Sequence, residues 1–314
     1  MAGFAKSSKL LHDYLQIPTY KGVRNLIIIP DGILNFVPFE ALLTKTSASK
    51  NFEKMPFLIR TFQISYQNSI DFFINDNAIE SNKSENNVLG VFPVFEKTDA
   101  ELSFSAGEMK SIKLNFKGTY LEKNEATFEN FKKLSANFSI IHLCTHATSG
   151  DVNTPASIKF IDRSVLYSEL YNLDIRPKLL VLSACETGVG KLYKAEGAMS
   201  ISRGFQMAGA KNVLFSLWKV NDYTTSVFMD SFYSSIKKGA SYAAANRNAK
   251  LDFLLDKNIS NTKKSPYYWC SMTYYGSLEA TTSNDFLWYF AGLGLILILT
   301  FFLVVIRKSK RLRV

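Results

Sequence analysis

Apolar positions along the chain alternate between two patterns. Continuous runs of strand length occur at 26–29, 62–66, 88–92, 139–144, 179–183, 213–218 and 269–275. Between them, stretches at 102–114, 127–134, 195–208, 223–236 and 242–255 carry small or apolar residues at helical spacing. Runs without a polar face read as strands buried on both sides. Their alternation with helices predicts an α/β fold: a mostly parallel sheet flanked by helices on both faces. Residues 75–87, rich in Asn, Ser and charge, read as an exposed connection, and 257–265 as another. Neither is long enough to separate a pair of domains, and no repeat of solenoid length occurs.

One further run breaks this scale. FLWYFAGLGLILILTFFLVVI, residues 286–306, carries no charge. At about 1.5 Å per residue it is long enough to cross a hydrocarbon core of roughly 30 Å. Trp288 and Tyr289 stand near one end as interface-seeking aromatics do, and Arg307, Lys308, Lys310, Arg311 and Arg313 crowd the other. The expected layout is a domain over 1–276, a polar linker over 277–285, a C-terminal transmembrane helix over 286–306 and a basic tail over 307–314. A single-pass membrane protein follows. Positive-inside bias places the tail in the cytoplasm and the domain outside. The start, MAGFAKSSKLLHDYLQ, lacks the apolar stretch of a signal peptide. A tail-anchored domain facing the cytoplasm needs no such signal, nor does the end of a longer chain that carries one upstream. The side of the membrane stays open.

Composition narrows the function classes. With 47% hydrophobic and 20% charged residues the chain can bury a large core and is not a disordered protein. The formal charge of +10 invites a nucleic-acid reading, but much of the excess sits in the tail and no other dense basic run interleaves with aromatics. No nucleic-acid partner is expected. Three cysteines, Cys144, Cys185 and Cys270, are too few for a disulfide framework and form no CxxC pair.

Reactive side chains cluster at the ends of two apolar runs, SIIHLCTHA (139–147) and LLVLSACETGVG (179–190). Functional crevices of open parallel sheets lie beyond the carboxyl ends of the strands, so two neighbouring strands would deliver His146 and Cys185 to one edge. A cysteine attacks as thiolate, and an imidazole in reach takes its proton and later protonates the leaving amine. Backbone N–H groups of Ala147 and Cys185 are the candidate oxyanion donors. Gly188 and Gly190 would permit a sharp turn after the nucleophile.

These segments carry a specific resemblance. LIIIPDGILNFVPFEAL from Leu26, HLCTHA from His142, VLSACETGVGKLYKAEGAMSISRGFQMAGAKNVLFSLWKVND from Val181 and SPYYWCSMTYYG from Ser265 resemble the CHAT domain. This is a caspase-like family related to separase and often fused to tetratricopeptide repeats. The resemblance spans nearly the whole chain up to Gly276. It implies a caspase-like fold, a His146/Cys185 dyad and thiol-protease (hydrolase) activity on a protein partner, as some relatives show in bacterial defence or signalling. Ala147 stands where the family commonly has glycine, yet still offers its N–H. The repeat array is absent here, which leaves a tetratricopeptide-repeat or other regulatory partner open.

Other readings of the same residues are weaker or equal. His142 lies within the apolar strand and reads as a hydrogen-bonded structural histidine rather than a second base. A metal site through His142, Cys144 and His146 lacks the zincin glutamate and a second ligand cluster, so neither metal nor cofactor is expected, and Cys144 reads as core. GVGK at 188–191 fails the phosphate-loop spacing. Glu186 and Asp222 could line a pocket for a basic substrate side chain. Asp222 reads equally well as the cap of a helix starting near Tyr223, and Glu186 as a solvated turn residue. Asp31 and Glu40 read as architecture. A non-catalytic membrane scaffold built on the same fold is the alternative function.

Overall fold

The computed structural model describes residues 1–17, 20–75, 86–99, 101–102, 105–148, 154–184, 191–193, 197–199, 201–218 and 222–278. In chain order the strands are β1 (Asn25–Ile28), β2 (Gln63–Tyr66), β3 (Val88–Phe92), β4 (Gly118–Glu122), β5 (Ile140–Thr145), β6 (Ala147–Thr148), β7 (Ser157–Lys159), β8 (Ser164–Leu166), β9 (Leu179–Ala184), β10 (Lys191–Tyr193), β11 (Gly197–Met199), β12 (Val213–Ser216) and β13 (Met272–Tyr275). The helices are α1 (Ala2–Tyr14), α2 (Ile70–Asn75), α3 (Ser105–Asn115), α4 (Phe128–Ser135), α5 (Tyr167–Leu170), α6 (Ile201–Met207), α7 (Asp222–Lys237), α8 (Tyr242–Leu255) and α9 (Pro266–Trp269).

Eight strands form one sheet in the order β1-β2-β13-β12-β9-β5-β3-β4. Every pairing in it is parallel except β12 with β13. The sheet therefore consists of two parallel blocks that run in opposite directions. At its centre β5 and β9 are fully flanked by other strands, so their backbone groups are paired within the ladder and both faces are free to be apolar. Alternation sends Ile141, Leu143, Leu180 and Leu182 to one face, against Phe131 of α4 and Phe205 of α6. Ile140, Cys144, Leu179 and Val181 go to the other, against Phe228, Phe232 and Tyr233 of α7. Helices cover both faces, as the sequence pattern predicts.

Several boundaries differ from expectation. The run at 269–275 splits: Pro266 pre-sets the first turn of α9, Trp269 closes that helix with its indole Nε1 donating to the Lys264 carbonyl at 3.0 Å, and the strand begins only at Met272. Among the described residues of the small-residue stretch 195–208, α6 is helical, while 197–199 pair antiparallel with 191–193. Short apolar stretches fit either period, and tertiary pairing decides between them. The helix expected from residue 102 begins at Ser105, and the strand expected to reach 218 ends at Ser216. Helix α1, edge strand β4 and the three-stranded sheet β6-β7-β8 have no counterpart in the sequence pattern.

Residues Met1–Leu278 form one compact unit. Among the described residues no helix is long and apolar enough to cross a membrane. The run at 286–306 and the tail at 307–314 lie outside the described residues.

Candidate active site

Register places the two reactive segments side by side. β5 and β9 are parallel neighbours, and their paired residues run from Ile140↔Leu179 to Thr145↔Ala184. His146 follows Thr145 directly. Cys185, next in sequence after Ala184, lies outside the described residues, as do Glu186, Gly188 and Gly190. The other two cysteines are core residues: Cys144 is 4% and Cys270 0% exposed. Burial, joined by the Glu40 carboxylate and offset in part by Lys250, pushes the Cys270 thiol well above its usual range. That thiol is a small hydrophobe at neutral pH.

His146 is half-buried where the chain passes from β5 to β6. Its carbonyl accepts the Lys159 N–H at 2.8 Å, and the Thr145 hydroxyl donates to the Lys159 carbonyl, so β7 anchors both sides of the histidine. The imidazole packs on Phe95, with ring centroids 5.2 Å apart and planes tilted by 36°. The Lys159 ammonium sits 4.7 Å from the centroid of the same Phe95 ring. Phe95 stands in a strained loop after β3. Val94, Phe95 and Lys97 have φ values of 61°, 54° and 60°, a region costly for bulky side chains and above all for a β-branched one. Bonds from Leu102 N–H to the Val94 carbonyl (2.9 Å) and from Lys97 N–H to Glu101 Oε2 (3.0 Å) hold this loop. No sequence signal marks Phe95, because its contact with His146 depends on that loop shape.

Ala147 opens β6 and pairs with Ile158 of β7 in an antiparallel ladder, with its side chain buried. Asp222 opens α7. Its side chain lies outside the described set, so neither the pocket reading nor the cap reading is decided there.

One layer deeper, on the α3/α7 face, lies a buried polar chain. His142 Nδ1 and the Tyr233 hydroxyl are 2.8 Å apart, and His142 Nε2 lies 3.2 Å from Glu108 Oε2. That second contact is close but off the hydrogen-bond line, and neither atom has another hydrogen-bond partner among the described residues. The Ser183 hydroxyl donates to Glu108 Oε1 at 3.0 Å. Phe92 stacks on His142, centroids 5.4 Å apart. Burial, with the Glu108 carboxylate as a second cause, holds Tyr233 well above ordinary phenols, so its hydroxyl stays protonated. His142 is thus a partnered core histidine. Glu108, Ser183 and Tyr233 come from three separate elements, and no local motif links them.

Glu108, His142 and Cys144 bring their ligand atoms within 4.8 Å of one another. They differ from the His142, Cys144 and His146 set that the sequence suggests. Closed structural metal sites use four protein donors, and sites with an open position reach solvent. This trio has neither property among the described residues: it supplies three donors and all are buried.

A buried ion pair supports the far side of the sheet. Lys250 of α8 donates to Glu40 Oε1, and the Tyr66 hydroxyl donates to Glu40 Oε2 at 2.6 Å. Lys250 and Glu40 are 0% and 1% exposed.

Comparison with known proteins matches the CHAT domain over residues 6–277. Tetratricopeptide repeat protein 28 of Mus musculus is 32% identical over 110 residues, covering 35% of this chain and 4% of its own length. The Homo sapiens protein of that name is 35% identical over 78 residues, covering 25% of this chain and 3% of its own length. This chain thus corresponds to a small fraction of either relative. Among solved structures, the Saccharomyces cerevisiae separase–securin complex superposes with a TM-score of 0.53 at 14% identity, over 85% of this chain and 16% of that one. The Arg specific cysteine proteinase gingipain R superposes with a TM-score of 0.52 at 11% identity, over 87% of this chain and 66% of that one. The pro- and mature domains of RgpB from Porphyromonas gingivalis give 0.52 at 12% identity, over 87% of this chain and 68% of that one. These structural likenesses establish the caspase-like fold.

Proposed function

Because the chain belongs to the CHAT domain family, we propose that it is a cysteine endopeptidase with Cys185 as nucleophile and His146 as its proton-transfer partner. The observation that carries this reading is the Thr145↔Ala184 pairing, since each proposed catalytic residue comes one position after a member of that pair. The register beneath supports it too: His142 pairs with Val181 and Cys144 with Ser183, and positions 146 and 185 are each two residues further along the sequence. Burial of Cys144 and Cys270 leaves no competing nucleophile among the three cysteines.

In this mechanism the Cys185 thiol gives its proton to His146 and the thiolate attacks the scissile carbonyl carbon. Backbone N–H groups of Ala147 and Cys185 bind the oxyanion. The carbon–nitrogen bond then breaks, the leaving amine takes the proton from His146, and water hydrolyses the thioester with His146 again as base. Phe95, packed on the imidazole, is proposed to limit its rotation. Glu186 and Asp222 are proposed to line a pocket for a basic side chain, through charge-assisted hydrogen bonds.

The catalytic domain is assigned to 1–276 and a membrane anchor to 286–306, followed by the basic tail, with a protein substrate and a regulatory partner reached beside the membrane. Carbonate extraction of cells would test the anchor. Full-length chain should stay in the membrane pellet and a chain ending at residue 278 should not.

For the dyad, an electrophilic peptide probe should label wild-type protein at Cys185, with labelling lost in Cys185→Ala and strongly reduced in His146→Ala. Equal labelling of the His146→Ala protein would remove His146 from the mechanism.

A further inference from the structure

We infer that Glu108 is a positioning residue that clips together the two strands carrying the proposed dyad. This rests on the assignment of His146 and Cys185 above. Glu108 projects from α3 onto the sheet and touches both central strands, accepting from Ser183 of β9 and facing His142 of β5. Ser183 stands two residues before Cys185, and His142 four residues before His146. One carboxylate therefore fixes the separation of the two strands just below their catalytic ends. Ladder hydrogen bonds alone set register, but the side-chain clip also opposes shear and splaying on the α3/α7 face.

A Tyr233 hydroxyl that donates to His142 Nδ1 leaves the imidazole proton on Nε2, facing Glu108 Oε2, while the Ser183 hydroxyl donates to Oε1. The carboxylate accepts from Ser183 and faces His142 Nε2 across 3.2 Å. Tyr233 belongs to α7, so the clip also couples the dyad layer to the helix that begins at Asp222. Glu108 is 3% and His142 0% exposed, which keeps water from substituting for either partner. The direct contact between Glu108 and His142 lies off the hydrogen-bond line, so the Ser183 branch is the better-aligned half.

Catalytic pairs lose rate steeply with small displacements, and residues that orient catalytic groups commonly contribute about tenfold to a hundredfold. The test is the rate of Cys185 carboxamidomethylation by iodoacetamide as a function of pH, read by peptide mass on full-length protein, with far-UV circular dichroism and thermal unfolding run in parallel. A thiol paired with an imidazole reacts as thiolate well below the ordinary thiol range near pH 8.5, giving a low-pH arm to the profile. Wild type should show that arm, and His146→Ala should lack it. Glu108→Ala and Ser183→Ala should lose roughly tenfold or more of the low-pH rate while remaining folded. Glu108→Gln should recover a fraction of it, since an amide can accept from Ser183 and donate to Nε2 once the His142 tautomer reverses. If Glu108→Ala keeps the wild-type profile, the clip is wrong and the dyad stands. Should Glu108→Ala fail to fold, Ser183→Ala decides, because it deletes one hydroxyl; an unchanged profile there overturns the clip. A wild-type profile without the low-pH arm overturns the dyad assignment and the clip with it.

Discussion

The imidazole of His146 rests against the ring of Phe95 at a centroid distance of 5.2 Å, and the Lys159 ammonium approaches the same ring at 4.7 Å. The phenyl group links the proposed base to a cation on the neighbouring β-sheet. Phe95→Ala would remove this ring contact and admit water beside the imidazole. Proteolytic kcat should fall by about tenfold or more with little change in KM, since the residue is proposed to orient the base rather than to bind substrate. Phe95→Tyr keeps the ring and should retain most of the rate. A loss confined to KM would place Phe95 in substrate binding instead.

Glu40 and Lys250 join β1's trailing segment to α8 through a buried ion pair, with Tyr66 donating to the second carboxylate oxygen. Removing one member strands the other charge in a site with no water access. Lys250→Met should destabilise the fold by about 3–5 kcal/mol. Tyr66→Phe should cost about 1–3 kcal/mol, by leaving an acceptor of a charged group short of one bond. The Glu40→Gln/Lys250→Met double variant should cost less than the sum of the singles. Urea unfolding followed by tryptophan fluorescence measures all of these.

Alkaline pH should weaken the fold before it touches the surface ion pairs. Burial raises the Cys270 thiol and the Tyr66 and Tyr233 phenols well above their ordinary values, and raises Tyr242 to about 12. Each is neutral when protonated, and the unfolded chain releases the proton first as pH rises. Their stabilising contribution is therefore complete below the unfolded pKa, about 8.5 for the thiol and about 10 for the phenols, and is lost as pH climbs towards the folded values. Thermal midpoints should fall progressively above about pH 9. Cys270→Ser or Cys270→Ala should remove the earliest portion of that fall. A midpoint flat to about pH 11 would contradict this account of the core.

Much of the sheet was legible because central parallel strands are buried on both faces and read as unbroken apolar runs, as IIHLCT and LLVLSA do. Helix α1 and the contacts of Glu108 are hidden in the sequence because the faces that pack there carry polar side chains. Helix α1 turns Ser8 inward, where its hydroxyl donates to the Ala41 carbonyl and accepts from the Leu43 N–H, so its apolar stripe is broken in sequence although its face is buried. Helix α3 buries Ser105, Glu108 and Ser111 beside Ile112, and the partners of Glu108 stand on β5 and β9, far from it in sequence. Edge strand β4 is exposed at Gly118 and Thr119, and an added Cβ at Gly118 would lie 2.0 Å from the Val88 carbonyl oxygen. His146 and Cys185 could be nominated because they end strands that the hydrophobic pattern defines. Phe95 could not, since left-handed backbone at Val94 and Phe95 brings it onto the histidine.

The most direct test of the central claim is a comparison of protein N-termini across the proteome of cells that carry wild-type chain, Cys185→Ala or His146→Ala at matched abundance. Proteolysis through the proposed dyad predicts a restricted set of new N-termini present only with wild type, absent from both variants, and preceded by a basic residue if Glu186 and Asp222 line the specificity pocket. Cleavages that persist with Cys185→Ala, at unchanged level, would contradict the assignment of Cys185 as the nucleophile.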